Sequence, residues 1–202
     1  MWRTIGAEAR AEQTIDKSRF IARLTPVADA AAVSADLREA RRLWPDARHY
    51  VYAWRLRAGG REKCSDDGEP QGTGGRPLLS LLQRADLWNT LAVVTRYFGG
   101  VLLGTGGLTR AYAGTARLAL AQAEIVEPRL YIRYTLALPY ALYEKAKYFL
   151  AGLGAVSETE EFAAGVTVVF ALPAEQQAVW EKQAAEWSGA ARLERQGELL
   201  RY

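Results

Sequence analysis

Residues 90–98, TLAVVTRYF, form a continuous apolar run. Such a run is the signature of a central strand. A chain that carries one has to build a sheet around it. Glycine-rich segments lie on both sides, GGREKCSDDGEPQGTGGRP before it and GGVLLGTGG after it. Those stretches cannot be core, so they become the candidate surface where chemistry resides.

Upstream, residues 19–27 (RFIARLTPV) read as a strand. Asp29 is placed to cap a helix over about 30–44, with Val33, Leu37, Ala40 and Trp44 at helical spacing and Pro45 ending it. HYVYAWRLR then alternates as a strand. Tyr50, Tyr52, Trp54 and Leu56 share one face, and His49, Val51, Ala53, Arg55 and Arg57 share the other. The polar segment over 58–76 reads as a surface loop. Pro77 suits the first turn of a short helix, PLLSLLQRADLW. The second glycine cluster leads into a helix, LTRAYAGTARLALAQAE.

Pro128 marks a boundary, after which the order is β-α-β-β-α-β, the ferredoxin-like arrangement, in about 73 residues. The expectation is an α+β chain of two domains, residues 1–128 and 129–202. Charge divides with them. Residues 1–129 hold 19 Lys+Arg against 14 Asp+Glu, whereas residues 130–202 hold 7 against 9. The net +3 therefore conceals a mildly basic first domain and a mildly acidic second one.

One cysteine, Cys64, rules out an intrachain disulfide framework and a Cys-based zinc site. One histidine, His49, rules out a multi-histidine metal cage. No run approaches the roughly 18 apolar residues of a membrane helix. The N-terminus has no apolar signal region. The expectation is a soluble, cytoplasmic protein with no membrane partner.

The first glycine-rich stretch places Asp66, Asp67 and Glu69 within four positions. Oxygen ligands at that density could hold Mg²⁺, although the EF-hand spacing is absent. No cofactor is otherwise expected. The alternative is an acidic turn whose Asp and Gly residues serve backbone geometry, with Gly68, Gly72, Gly74 and Gly75 allowing positive φ. The second stretch joins strand to helix through Gly99, Gly100, Gly104, Gly106 and Gly107. Backbone N–H groups at a helix start suit an anion, and Arg96 and Arg110 flank them as forked donors. The spacing is neither GxxxxGK[ST] nor GxGxxG, so a tight packing turn is the competing reading. His49 is either a base or nucleic-acid contact or a structural hydrogen-bonder. Cys64, beside Asp66 and Asp67, is a poor nucleophile. Ser65 and Thr73 lack a nucleophile elbow. The two glycine-rich loops are expected to meet in one cleft.

Several of these stretches, in this order, closely resemble the Impact/YigZ family: Lys17-Ser-Arg-Phe-Ile21, Ala47-x-His49, Ala53-x-Arg55, Ser65-Asp-Asp-Gly-Glu-Pro-x-Gly-Thr73, Val94-Thr-Arg-Tyr-Phe-Gly-Gly100 and Leu103-Gly-x-Gly-Gly-Leu-x-Arg-Ala-Tyr112. The match spans roughly residues 15–120. Gly72-Thr-Gly-Gly75 stands where the family usually has Gly-Thr-Ala-Gly. The family's cysteine shortly after the histidine is absent, with Tyr50 and Val51 there instead. The resemblance implies a first domain like domain 2 of ribosomal protein S5 and a second like domain V of elongation factor G. It also implies a role near RNA, the ribosome and translational control, since eukaryotic relatives act in that control. Candidate ligand- or RNA-binding residues are His49, Arg55, Gly68, Gly72, Thr73, Arg96, Tyr97, Gly99, Gly100, Gly104, Gly106, Gly107 and Arg110. The competing functions are a Mg²⁺-dependent enzyme acting on a phosphate ester or nucleotide, and a module for a protein partner.

Overall fold

The computed structural model describes residues 2–201 and divides into two compact α+β units, Met1–Glu127 and Pro128–Tyr202. In the first unit, β1 (Thr4–Ile5) pairs with β7 (Ile125–Val126) near the two ends of the unit. The main sheet has five strands: β2 (Ala9–Ile15), β3 (Ser18–Pro26), β4 (His49–Leu56), β5 (Arg61–Ser65) and β6 (Thr90–Tyr97). Their order is β2-β3-β6-β4-β5 and every neighbouring pair is antiparallel.

The apolar run does become the central strand, and both sheet faces are covered. Leu91 and Val93 of β6 join Val33, Ala40 and Tyr50 under α1 (Ala30–Leu43). Ala92 and Val94 join Phe20, Val51, Leu78, Leu108 and Tyr112 under α2 (Gly75–Arg84) and α3 (Gly104–Leu120). Consecutive residues thus enter opposite cores, which is why the run shows no polar alternation. Asp29 caps α1 as its sequence position suggests, its carboxylate accepting from the Ala32 N–H at 2.8 Å.

Several boundaries differ from the sequence reading; α2, for one, starts two residues before Pro77 and ends at Arg84, short of Trp88. The segment after β4 is not all loop. A short 3₁₀ turn at Ala58–Gly60 leads into β5, and residues 66–74 form the loop proper. β5 is an edge strand, so Arg61, Glu62 and Lys63 stay exposed and only Cys64 packs against the core. Charge on an edge blunts pairing with other chains, and it also hides the strand from an apolar-pattern search. Helix α3 starts at Gly104, four residues before the apolar pattern. Its opening glycines have low helix propensity and give no amphipathic signal. β1 and β2 also form in residues 1–18, which the sequence reading leaves unassigned.

The second unit runs β8 (Arg129–Leu138), α4 (Tyr140–Gly152), β9 (Val156–Phe162), β10 (Val166–Pro173), α5 (Gln177–Glu186) and β11 (Arg192–Arg201). Its antiparallel sheet has the order β11-β8-β10-β9, as the β-α-β-β-α-β pattern implies. Trp180 is wholly buried, with the rings of Tyr134, Phe149, Phe170 and Trp187 within 6.5 Å. Among the described residues no helix is long and apolar enough to cross a membrane.

Gly99, just beyond β6, sits where a side chain has no room. A Cβ there would lie 2.0 Å from the carbonyl carbon of Lys17. Gly99→Ala is expected to lower stability by about 3 kcal/mol, because backbone on both sides must separate. Chemical denaturation checks this; an unchanged midpoint would contradict the close approach.

Candidate functional site

The 66–74 loop is built around one carboxylate. Asp66 Oδ2 accepts from the Gly72 N–H at 2.8 Å, and Oδ1 accepts from Gly74 and Gly75 at 2.9 and 2.8 Å. Partial burial pushes the Asp66 pKa up, but these three backbone donors outweigh it and hold the carboxyl below its usual range. Gly72 has φ +80°, which favours glycine. The Thr73 hydroxyl donates to the Pro70 carbonyl, and Thr73 itself is buried in the loop.

Asp67 and Glu69 face different partners. Asp67 Oδ2 accepts from the Tyr50 N–H at 2.7 Å, and Oδ1 lies 3.3 Å from Arg41. The Asp67 carbonyl lies 2.8 Å from His49 Nδ1. A carbonyl can only accept, so Nδ1 carries a proton, and in the neutral imidazole the lone pair is on Nε2. Glu69 turns inward, 4% exposed, and its Oε1 accepts from Arg96 at 2.7 Å and from the Tyr112 hydroxyl at 2.8 Å. His49 Nε2 lies 3.8 Å from the same oxygen. Burial and the bond to Glu69 push the Tyr112 phenol far up, so it remains a neutral donor. Arg96 donates in addition to Ser18 Oγ at 3.2 Å, and its guanidinium lies over the rings of Phe20 and Phe98.

Above this network the two glycine-rich loops share one cleft of about 550 Å³. Arg48, His49, Gly68 and Glu69 line one side, and Phe98, Leu102, Gly104 and Thr105 line the other. Leu102 is 88% exposed at its rim. Gly100 and Gly104 have φ +83° and +67°, which turn the chain from β6 into α3. No side chain caps the start of α3.

The sequence candidates therefore separate. His49, Gly68, Glu69, Arg96 and Gly104 line the cleft. Arg55 does not. It lies towards the other end of β4, bonded to Glu62 at 2.6 Å and to the Leu87 carbonyl at 3.1 Å, and stacked on Trp88 at 3.8 Å. Tyr97 points to the opposite sheet face from Arg96, its hydroxyl donating to the Pro45 carbonyl. Asp66, Asp67 and Glu69 do not converge as a magnesium site would require, because each is already held by its own donors. Among the described residues no group of three His, Cys, Asp or Glu is arranged to hold a metal ion. The Cys64 thiol is pushed up by burial, with Arg76 acting against that, so it is a weak nucleophile.

A second concave surface lies between α2 and α3, with a volume of about 480 Å³. Gly72, Arg76, Ser80, Arg84, Thr109 and Arg117 are among its lining residues, and no carboxylate is. Arg76, Arg84 and Arg117 are exposed, as is Arg110, which precedes Arg117 by two turns of α3. None of the four has an ion pair among the described residues. Of these only Arg110 stood among the sequence candidates. The available signal was spacing: Arg76, Ser80 and Arg84 at i, i+4, i+8, and Arg110 and Arg117 at i, i+7, keep to one helix face each.

The fold and these surfaces define a two-unit α+β protein. Its first unit carries a cleft between the two glycine-rich loops and a cationic groove. Residues 16–120 match the Impact N-terminal domain, and residues 136–191 match a domain of unknown function, DUF1949. The chain belongs to the Impact family. The IMPACT family member YigZ of Escherichia coli (strain K12) is 35% identical over 190 residues, 93% of each chain. Human Protein IMPACT is 36% identical over 95 residues, 44% of this chain and 29% of its own. A crystal structure of a hypothetical protein is 34% identical, covers 95% of both chains and superposes with a TM-score of 0.66. The two-domain translational regulator Yih1 is 28% identical over 59% of this chain and 46% of its own, with a TM-score of 0.33.

Glu69→Ala removes the partner of a buried guanidinium and is expected to cost about 3–5 kcal/mol. Glu69→Ala/Arg96→Met, which removes both charges, is expected to recover part of that loss. Urea unfolding of the two variants measures the difference; equal losses would mean that the pair is not what holds the loop.

Proposed function

We propose that this protein binds RNA, free or in the ribosome, through its first unit and acts in translation. The observation that carries this reading is the set of four exposed arginines, Arg76, Arg84, Arg110 and Arg117, on α2 and α3, unpaired among the described residues. Among the described residues, seven other cations of the unit are held in ion pairs: Arg10 and Arg23 by Glu8, Arg19 by Glu12, Arg41 by Asp67, Arg42 by Glu39, Arg55 by Glu62 and Arg96 by Glu69. Unpaired guanidiniums favour phosphate, which accepts their forked donors. The tie to translation rests on the family resemblance.

Phosphate binding releases counterions, so affinity should fall steeply with salt. Replacing all four arginines by glutamine is expected to lower the slope of log affinity against log salt by about 3–4, close to one for each phosphate no longer neutralised. Fluorescence anisotropy with ribosomal RNA and cosedimentation with ribosomes read this directly. No binding at about 50 mM salt, or an unchanged slope in the variant, would sink the proposal.

A second reading is supported by His49. Its free Nε2 lone pair, the adjacent Arg48 and the uncapped start of α3 suit a phosphate ester in the cleft, with His49 as general base. Under this reading nucleotide or phosphate-ester turnover, with or without added Mg²⁺, is detectable and falls by about 10²-fold or more in His49→Gln. Turnover that is absent, or equal in the variant, removes it.

A further inference from the structure

The groove between α2 and α3 also indicates what form of RNA it fits. We infer that it takes double-helical RNA, gripped by its sugar–phosphate backbone without base readout. This rests on the RNA-binding function proposed above and specifies the ligand of the same surface.

Three observations point this way. The first is the absence of any ring. Single-stranded RNA is held largely by stacking its bases on aromatic side chains. No aromatic residue lines the groove; besides arginines its lining is Gly72, Pro77, Ser80, Leu81, Thr109 and Ala113. The second is the absence of amide and carboxylate readers, while guanidiniums, which read guanine in an open major groove, cannot enter the deep, narrow major groove of A-form RNA. No Asn, Gln, Asp or Glu lines it, so the amide and carboxylate bonds to base edges have no source. What remains is guanidinium for phosphate and hydroxyl for the ribose 2′-OH. The hydroxyls of Ser80 on α2 and Thr109 on α3 stand on the two walls. Thr109 already donates to the Thr105 carbonyl, so its oxygen is left to accept from a 2′-OH.

The third is the spread of charge. Arg76 and Arg84 are eight residues apart on α2, about 12 Å along its axis, and Arg110 and Arg117 are about 10 Å apart on α3. Cations on two helices suit two phosphate rows better than one flexible strand. A duplex also has the higher line charge and releases more counterions per phosphate neutralised. Its A-form minor groove is wide and shallow and displays 2′-hydroxyls, the surface that shape-reading proteins use.

The experiment compares three probes of equal length with the full chain at equal salt: an RNA hairpin of mixed sequence, an unstructured single-stranded RNA, and a DNA duplex. The hairpin is expected to bind at least about tenfold tighter than the single strand, because the single strand finds no aromatic ring to stack on. Changing the stem sequence should leave affinity unchanged. Arg76→Gln/Arg117→Gln, both exposed and remote from the core, should weaken hairpin binding and lower its salt slope by about 2. Ser80→Ala/Thr109→Val should narrow the gap between RNA and DNA duplexes.

Single-stranded RNA binding as tightly as the hairpin would overturn this inference and leave the RNA-binding function standing. Strong dependence on stem sequence, or DNA duplex binding equal to RNA, would overturn it as well. Failure of every RNA to bind would remove both readings together.

Discussion

The buried pair between Glu69 and Arg96 is the interaction on which the first unit's architecture around the cleft depends. Its two side chains are 4% and 5% exposed, and the charges meet at 2.7 Å. Taking both out of water costs several kcal/mol per ion unless further hydrogen bonds satisfy them. Tyr112 from α3, Ser18 from β3 and the rings of Phe20 and Phe98 supply that environment. One carboxylate therefore joins the acidic loop, the central strand and the longest helix of the unit. Phe20 and Tyr112 meet edge-to-face at 5.3 Å just beneath, so apolar packing and the polar network share residues.

This arrangement explains why the motif residues lie in several separate stretches of sequence. Ser18 Oγ also accepts from the Gly99 N–H, which fixes the glycine turn against the start of β3. Asp66 closes the loop through three backbone donors, and Asp67 ties the same loop to β4 through Tyr50 and His49. The acidic run has backbone geometry as its chief task. Its carboxylates are spent on backbone N–H groups, the Tyr112 hydroxyl and the guanidiniums of Arg41 and Arg96, while His49 Nε2 and Arg48 stand at the cleft.

The central strand, the Asp29 cap and the second unit's order could all be read from the sequence, because each is written in local periodicity or a single capping position. The edge strand β5 could not, since an exposed edge selects charge over apolar alternation. The start of α3 was hidden by glycines whose helical state is imposed by the turn before them. Arg96 illustrates a different limit. It flanks a glycine loop and reads as a free anion contact, yet its partner lies 27 residues earlier in the chain. Sequence spacing cannot distinguish a cation held in a core from one waiting for a ligand. Arg55 misleads for the same reason, with Glu62 and Trp88 already satisfying it.

That distinction decides where a polyanion can bind. The first unit is mildly basic, but a net charge averages over pairs that cancel at short range. Once the paired arginines are removed from consideration, four of those that remain stand on two adjacent helices. Arg76 and Arg84 come from one helix and Arg117 from another, and only the packing of α2 against α3 brings them to one groove. The helices pack there through Leu78, Leu82, Leu108 and Tyr112 on their inner faces. The same amphipathic helices that cover the sheet thus carry the cations on their outer sides. The groove is therefore a consequence of how the core is closed, and its charge stays available because the carboxylates of the neighbouring acidic loop are held by other donors.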